Sequence, residues 1–214
     1  MIVFFVLLAA AVKGQMICTG GSITDEVRQA FLLVHNQLRS AIAEGRFTAN
    51  GTLKAAAANM IELNWNCTLE ATAQLYANSC PDDHSGTTGV GENLFGEYSS
   101  DPIDNVEGAY DASAAWAQEF EDYGWISDIM TSELSMLIGH ATQMAWATTS
   151  SVGCGVAHCS SQGLEGVNIV CQYWPAGNWI GRTVYQAGET CSACPAGTTC
   201  DTGSGLCSHT GPHK

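Results

Sequence analysis

The chain has 214 residues, of which 46% are apolar and 13% charged, so it is long enough to bury a core and too hydrophobic to be disordered. Its 21 acidic and seven basic residues give a formal net charge of -14, which repels phosphate backbones and anionic membranes. We therefore expect neither nucleic acid nor an anionic membrane as the partner. The ten cysteines indicate five disulfides formed in an oxidising compartment.

The N-terminal segment has the pattern of a secretory signal peptide. Residues 2–12 form an apolar run of 11 residues, shorter than the about 20 that a membrane-spanning helix needs. Val12 and Gly14 stand at the two positions that signal peptidase reads, so residues 1–14 are expected to be removed. No later stretch is long and apolar enough to span a bilayer, and the sequence predicts a secreted, extracellular protein.

Two N-glycosylation sequons fit that secretory route. They begin at Asn50, in Asn-Gly-Thr, and at Asn66, in Asn-Cys-Thr. An early disulfide at Cys67 would block the transferase, so Asn50 is the stronger candidate.

The first half of the chain predicts helices. Caps at Ser22 and Thr24 open an amphipathic pattern that ends near Gly45. The Ala-rich segment 53–80, which has no internal Gly or Pro, predicts one or two further helices. Residues 81–103 are rich in Gly, Ser, Thr and Asp and predict a loop, with a short island at 91–96 of the kind that often carries function.

The second half predicts a sheet and a tail. Helices are predicted at 104–122 and 139–147, and the β-like runs from Val152 to Cys159 and from Val167 to Trp174 predict an antiparallel hairpin. Helices around a small buried sheet define an α/β sandwich. The composition then becomes poor in apolar residues and rich in Cys and Gly, which predicts a tail held by two local disulfides. The expected domains are a signal peptide at 1–14, a main domain at 15–187 and a tail at 188–214.

Four separated motifs match one known family pattern. They are His35-Asn36-Gln37-Leu38-Arg39, Gly91-Glu92-Asn93-Leu94, Gly139 to Trp146, and Ile169 to Trp179. In this order they resemble the CAP superfamily (SCP/TAPS), which groups cysteine-rich secretory, antigen 5 and pathogenesis-related 1 proteins. The resemblance covers roughly residues 22–187 and implies a three-layer α-β-α sandwich. The short tail resembles the hinge-type extension of nematode activation-associated secreted, or venom allergen-like, proteins with a single CAP domain.

Two positions depart from the family pattern. Ala141 stands where an aromatic residue is usual, and the loss of a ring next to His140 is expected to widen the central cleft. Asn168 replaces an apolar residue and is expected to be a detail of a strand edge.

The resemblance implies a central cleft lined by two histidines and two acids, here His84, Glu92, Glu119 and His140. Imidazoles bind Zn²⁺ well, and carboxylates complete the shell or orient the rings, so the set predicts a divalent-cation site, with zinc as the first candidate. The same set of side chains is also suited to general acid/base chemistry, because histidine titrates near neutrality. Three of the four have a structural alternative: His84 could be an ordinary surface-loop residue, Glu92 could fix its loop by hydrogen bonds to the backbone, and Glu119 could be a solvated helix residue.

His35 and Arg39, one helical turn apart, are expected to belong to a buried polar network that fixes their helix. Asn36 between them is interpreted in the same way, as a structural residue.

The disulfide pairing cannot be deduced from spacing. The resemblance suggests Cys80 with Cys154, Cys159 with Cys171 and Cys18 with Cys67. The four tail cysteines would then pair among themselves; they are Cys191, Cys194, Cys200 and Cys207. The first two have the spacing of a redox or zinc motif, but no second pair at that spacing follows, and disulfides are the better interpretation in a secreted tail.

Three functions compete. The first is non-enzymatic binding to a host or endogenous protein, the host-interaction and immunomodulatory role that the resemblance implies for parasite members. The second is carriage of a sterol or fatty acid, with Phe120, Tyr123, Trp125 and Ile126 as the candidate lipid or partner loop. A metal-dependent hydrolase or protease ranks third, because the sequence has no His-Glu-x-x-His helix, no Gly-x-Ser-x-Gly elbow and no cysteine placed as an unpaired nucleophile. The acidic surface favours a basic protein partner, and a homodimer stays open.

Overall fold

The computed structural model describes Cys18, residues 21–161 and residues 163–210, so the predicted signal peptide at 1–14 lies outside the described residues. The helices are α1 (Asp25–Ala43), α2 (Cys67–Ala77), α3 (Asn105–Tyr123), α4 (Ser132–Leu137) and α5 (Gly139–Ala145). The strands are β1 (Thr48–Ala49), β2 (Thr52–Leu53), β3 (Asn64–Trp65), β4 (Gly91–Ser99), β5 (Ser151–Ser161), β6 (Leu164–Trp174), β7 (Thr198–Asp201) and β8 (Leu206–His209).

A four-stranded sheet in the order β3-β5-β6-β4 forms the middle layer. β5 and β6 form the predicted antiparallel hairpin, β4 pairs antiparallel with β6, and β3 pairs parallel with β5. Helix α2 packs on one face, and α1, α3 and α5 pack together on the other. The fold is therefore the predicted three-layer α-β-α sandwich.

Alternate residues of β6 point to different helical layers, which buries the sheet on both faces. Ile169 and Tyr173 belong to the large core shared with α1, α3 and α5, whereas Val170 packs in a smaller cluster with Ala73 of α2. A Cβ on Gly155 of β5 would lie 2.3 Å from the Cα of Gln74, so the α2 backbone rests directly on the strand.

Arg39 of α1 is fully buried, and among the described residues its guanidinium donates only to backbone carbonyl groups. The distances are 2.6 to 3.2 Å, and the acceptors are the carbonyls of Ile61, Met144, Trp146, Ala147 and Thr149. Burial lowers the pKa of Arg39 to about 9. Because four of the five carbonyls lie at the end of α5 or in the connection to β5, Arg39 fixes that part of the chain to α1.

Two predicted segments differ from the structure. The segment 53–80, expected to form one or two helices, contains one, α2, which begins only at Cys67, because residues before it bond to distant segments: the N–H of Ala58 donates to Gln186 and that of Ile61 to Ala147. The loop expected across 81–103 contains β4, because the island at 91–96 pairs along its whole length with β6.

Five disulfides join all ten cysteines. Cys18 bonds to Cys67, and the tail forms Cys191–Cys200 and Cys194–Cys207, as expected. The other two pairings suggested by the resemblance are wrong, since the structure forms Cys80–Cys159 and Cys154–Cys171.

The sheet explains that correction. Cys154 and Cys171 are direct cross-strand partners and point toward the large core. Cys159, an odd number of positions from Cys154, points to the opposite face, where α2 and the following Cys80 lie. A bond from Cys80 to Cys154 would have to cross the sheet.

The tail packs on the sandwich through backbone hydrogen bonds. The N–H of Cys207 donates to Met60, and the N–H of Glu62 donates to the carbonyl of Cys207. Leu206 and Cys207 are buried, and Leu206 joins the large core. A segment too poor in apolar residues to form its own core therefore shares that of the main domain.

Replacing Arg39 tests the carbonyl cluster. We expect Arg39→Met to lower the free energy of unfolding by about 3–5 kcal/mol, because buried carbonyl oxygens lose their donors. The control is Arg46→Met, whose side chain is 63% exposed and paired with Glu44, and whose effect should stay within about 0.5 kcal/mol. Guanidinium denaturation of both variants measures the difference, and equal losses would contradict the assigned role.

Candidate functional site

The first half of the predicted cleft is a pair formed by His84 and Glu92. Glu92 is the second residue of β4, and His84 lies in the loop that leads into this strand. His84 Nδ1 lies 3.2 Å from Glu92 Oε1, and the same carboxylate accepts from the N–H of Ser85 at 2.7 Å and from Gln172 Nε2 at 3.0 Å. The Glu92 side chain is 6% exposed and that of His84 is 53% exposed, so a buried carboxylate orients an accessible ring.

The charges of this pair follow from its contacts. Burial alone would raise the pKa of Glu92, but the hydrogen bonds from His84, Gln172 and Ser85 outweigh it and bring the pKa to about 2. The hydrogen bond to Glu92 raises the pKa of His84, against the smaller effect of burial. Glu92 is therefore ionised and accepts a hydrogen bond from the N–H of His84 Nδ1.

The second half is a pair formed by Glu119 of α3 and His140 of α5. His140 Nδ1 lies 2.6 Å from Glu119 Oε1, and the N–H of Ala141 donates to Oε2 at 3.0 Å. The His140 ring stacks on Trp116, with centroids 6.3 Å apart and an interplanar angle of 22°. Glu119 is 18% and His140 35% exposed at the side chain, so this ring is held more firmly than that of His84.

Both pairs leave the same atom available. In the neutral ring, a carboxylate that accepts from Nδ1 selects the tautomer with hydrogen on Nδ1 and a lone pair on Nε2. No hydrogen bond reaches Nε2 of His84 or His140 from any described residue. The arrangement matches the carboxylate–histidine pairs that orient imidazole ligands around metal ions.

The four residues form two pairs rather than one compact set of ligands. Glu92 is linked through Gln172 to Thr72 of α2, whereas the adjacent Asn93 points to the opposite face and binds the carbonyl of His140 at 3.1 Å. Across residues 18, 21–161 and 163–210, the only His, Cys, Asp or Glu ligand atoms that group in threes within 4.8 Å belong to cysteines of the tail.

A buried hydrogen-bond chain supports His140 from inside the core. His35 Nδ1 donates to the carbonyl of Phe31 at 2.8 Å, so Nε2 accepts from the Tyr173 hydroxyl at 2.8 Å. Asn93 Nδ2 in turn donates to that hydroxyl and to the carbonyl of His140, each at 3.1 Å. His35 and Arg39 therefore lie in buried polar networks, as predicted. Sequence analysis missed the parts played by Asn93 and Tyr173, although both stand in the quoted motifs.

The structure also locates three other positions that the sequence analysis singled out. Asn36 exchanges two hydrogen bonds with the backbone of Leu63, which confirms its structural role. Ala141 is fully buried, so this position packs in the core. Asn168 lies in β6, which is a central strand, so its expected place at a strand edge is wrong; its Nδ2 donates to the carbonyl of Pro81.

The aromatic stretch after Glu119 does not form one surface. Phe120 is fully buried and Trp125 is 3% exposed, and their rings stack with centroids 4.4 Å apart. The chain turns at Gly124, which has a φ of 74° and brings Trp125 back onto α3. Tyr123 and Ile126 are exposed, so part of the stretch is accessible to a ligand and part is used in the core; its role as a lipid or partner loop stays a prediction.

The two sequons differ in their surroundings. Asn50 is exposed in the tight turn between β1 and β2. Asn66 is half-buried, and its side-chain oxygen caps α2 by accepting from the N–H groups of Thr68 and Leu69. The preference for Asn50 stays a prediction.

Comparison with known proteins places the chain in a family. The family described as "CAP: Cysteine-rich secretory protein family" matches residues 32–173. The chain is 39% identical over 195 residues to the Ancylostoma secreted protein of Ancylostoma caninum, covering 87% of this chain and 45% of that protein. It thus spans about half the length of this relative.

Two solved structures share the fold. One, titled "Crystal structure of NaASP2 with Zn2+", is 38% identical, with a TM-score of 0.80 over 89% of this chain and 100% of that chain. Another, titled "Crystal Structure of Hookworm Platelet Inhibitor", is 26% identical, with a TM-score of 0.69 over 89% of this chain and 94% of that chain. With the CAP sandwich, the family match and the paired histidines and glutamates in agreement, the chain belongs to the CAP family of cysteine-rich secretory proteins. None of the described helices is both long and apolar enough to cross a membrane.

The buried chain predicts a pH dependence of stability. Burial lowers the pKa of His35 to about 4, with a smaller effect of the Arg39 charge in the same direction. In the unfolded chain His35 takes up a proton near its ordinary pKa of about 6.5, whereas the folded protein resists protonation down to about pH 4. Protonation therefore favours the unfolded state, and the free energy of unfolding falls by about 3 kcal/mol as the pH drops from about 6.5 to about 4. The guanidinium concentration at the midpoint of unfolding, measured across this pH range, should fall less steeply with decreasing pH in His35→Gln than in the wild type. An identical slope in the two proteins would contradict the neutral assignment of His35.

Proposed function

We propose that this protein acts by binding, as a secreted member of its family, and that its central cleft holds a divalent cation between His84 and His140. The observation that carries the proposal is the shared arrangement of the two pairs, in which a carboxylate occupies Nδ1 and Nε2 is left with a lone pair. Glu92 and Glu119 then orient the rings and do not bind the ion. This assignment revises the four-ligand set expected from the sequence.

The donor set suits zinc. Zn²⁺ takes imidazole nitrogen readily and completes its coordination shell with water when protein ligands are few. A hydrogen bond from Nδ1 to a carboxylate makes the opposite nitrogen a stronger ligand. The related NaASP2 structure, whose title names Zn²⁺, supports the same ion here. Bound in the cleft, the ion would supply a positive charge at the centre of an acidic protein, which is useful for recognition without any chemical step.

A partner surface adjoins the cleft. Asn178 binds the carbonyl of Gly139 at 2.7 Å, which holds the loop after β6 against the start of α5. Next to this contact Trp179 and Ile180 are each 58% exposed, and Met136 of α4 is 80% exposed. Exposed apolar side chains of this size mark surfaces that bind other molecules. The name of the related platelet inhibitor supports a protein of the host as the partner class.

Lipid carriage is not favoured by the described residues. That hypothesis depended on an aromatic stretch, and two of its members, Phe120 and Trp125, are used in the core. Catalysis by the cleft is less favoured, because the ring hydrogen bonds of His84 and His140 run to carboxylates, and no described hydroxyl or thiol is hydrogen-bonded to either ring.

Zinc titration of the mature protein by isothermal calorimetry tests the cation site. We expect about one ion per chain in the wild type, no binding at this site in His84→Ala/His140→Ala, and about 10–100-fold weaker binding in Glu119→Gln, which loses only an orienting contact. The matched control is His158→Ala, which removes an exposed histidine paired with Asn105. The cation proposal fails if the double variant binds zinc as tightly as the control.

A further inference from the structure

Three sulfur atoms of the tail lie together although they belong to two different disulfides. The Sγ atoms of Cys191, Cys194 and Cys207 all lie within 4.8 Å of one another. The covalent bonds join Cys191 to Cys200 and Cys194 to Cys207. Cys200 Sγ is not within 4.8 Å of all three, so Cys191 is the half of its disulfide whose sulfur lies near both sulfurs of the neighbouring bond.

The four cysteines also differ in their access to solvent. Cys200 in β7 is exposed, Cys191 and Cys194 are half-buried, and Cys207 in β8 is fully buried. A thiol that arrives from solution therefore meets Cys200 first. Attack there makes Cys191 the leaving group, next to the second disulfide.

We propose that the tail is a thiol–disulfide exchange site that takes up a small monothiol at Cys200 and passes the exchange to the Cys194–Cys207 bond. In the first step the thiolate of the monothiol attacks Cys200 Sγ, a mixed disulfide forms, and the bond to Cys191 breaks with its electron pair on Cys191. In the second step the Cys191 thiolate attacks the neighbouring disulfide and expels one of its sulfurs as a thiolate, which takes a proton from water. Two disulfides and one thiol enter, and two disulfides and one thiol result, so no further oxidant or reductant is needed.

In the second step both sulfurs of the attacked bond lie within 4.8 Å of Cys191 Sγ, so access from solution no longer matters and the stability of the leaving thiolate decides the outcome. Attack on Cys207 expels the half-buried Cys194, whereas attack on Cys194 expels the fully buried Cys207. A thiolate is stabilised by contact with solvent, and the better stabilised thiolate leaves faster. Cys191 therefore ends bonded to Cys207, and Cys194 becomes the free thiol.

The exchange modifies the surface of the tail but leaves the tail attached to the sandwich. Cys207 stays in place through its backbone hydrogen bonds to Met60 and Glu62. β7 loses its covalent link to the segment around Cys191 and carries the monothiol at Cys200. The tail thereby gains a modified surface while the sandwich keeps its other disulfides.

The wild-type protein provides the first test. The folded protein is incubated with reduced glutathione in mildly alkaline buffer, quenched in acid, labelled with N-ethylmaleimide and digested without reduction. Mass spectrometry should find glutathione on Cys200 and maleimide on Cys194, rising together with time. Maleimide on Cys207 also supports the exchange, because it reports opening of the same bond. Maleimide confined to Cys191 with Cys194–Cys207 intact, or glutathione first on another disulfide, would overturn the proposal.

A pair of variants isolates the second step without added thiol. Cys200→Ser leaves Cys191 unpaired within the sulfur group, so we expect most of the maleimide on Cys194 or Cys207. The matched control Cys191→Ser leaves Cys200 unpaired outside the group, and its label should stay on Cys200. Label restricted to Cys191 in the first variant would overturn the proposal, and the wild-type time course decides if either variant does not fold.

Discussion

The fully buried guanidinium of Arg39 links the helical layer of this protein to the segment that carries its candidate site. Its guanidinium gathers carbonyl groups from the end of α5 and from the connection to β5, with no carboxylate among the acceptors shown. A charge buried in this way is costly unless every donor is satisfied, so these backbone segments are held in one arrangement. His140 opens the helix whose end Arg39 fixes, and the geometry of the cleft depends on that constraint.

The two halves of the cleft consequently differ in rigidity. His140 is held by Glu119, by the Trp116 ring and, through its carbonyl, by the Asn93 amide. His84 lies on an exposed loop, and Glu92 is the residue shown to bind its ring. A cation at this cleft would thus meet one preset imidazole and one that can adjust, which lowers the cost of closing the site around ions of different size.

The sequence predicted those parts of the molecule that follow local patterns. The amphipathic spacing located α1 and α3, and the β-like runs located the β5-β6 hairpin; the predicted three-layer sandwich rested on the family motifs. The irregular path of 55–63 could not be predicted, because its backbone partners, Gln186 and Ala147, are distant in the chain. The pairing of Cys80 with Cys159 depends on which face of the sheet lies toward Cys80; spacing places Cys154 and Cys159 on opposite faces but does not say which of them meets Cys80. For the site, the quoted motifs contain Glu92 and His140, and the family resemblance implied His84 and Glu119 as well, but their division into two pairs required the fold.

The central claim is that the imidazole Nε2 atoms, and not the carboxylates, are the atoms that bind a cation. Anomalous diffraction at the zinc absorption edge, from crystals of the mature protein grown with Zn²⁺, tests it most directly. We predict one anomalous peak within coordination distance of Nε2 of His84 and of His140, with Glu92 and Glu119 still bound to the Nδ1 atoms. A peak on the carboxylates or at the tail sulfurs, with both histidine rings unbound, would contradict the account.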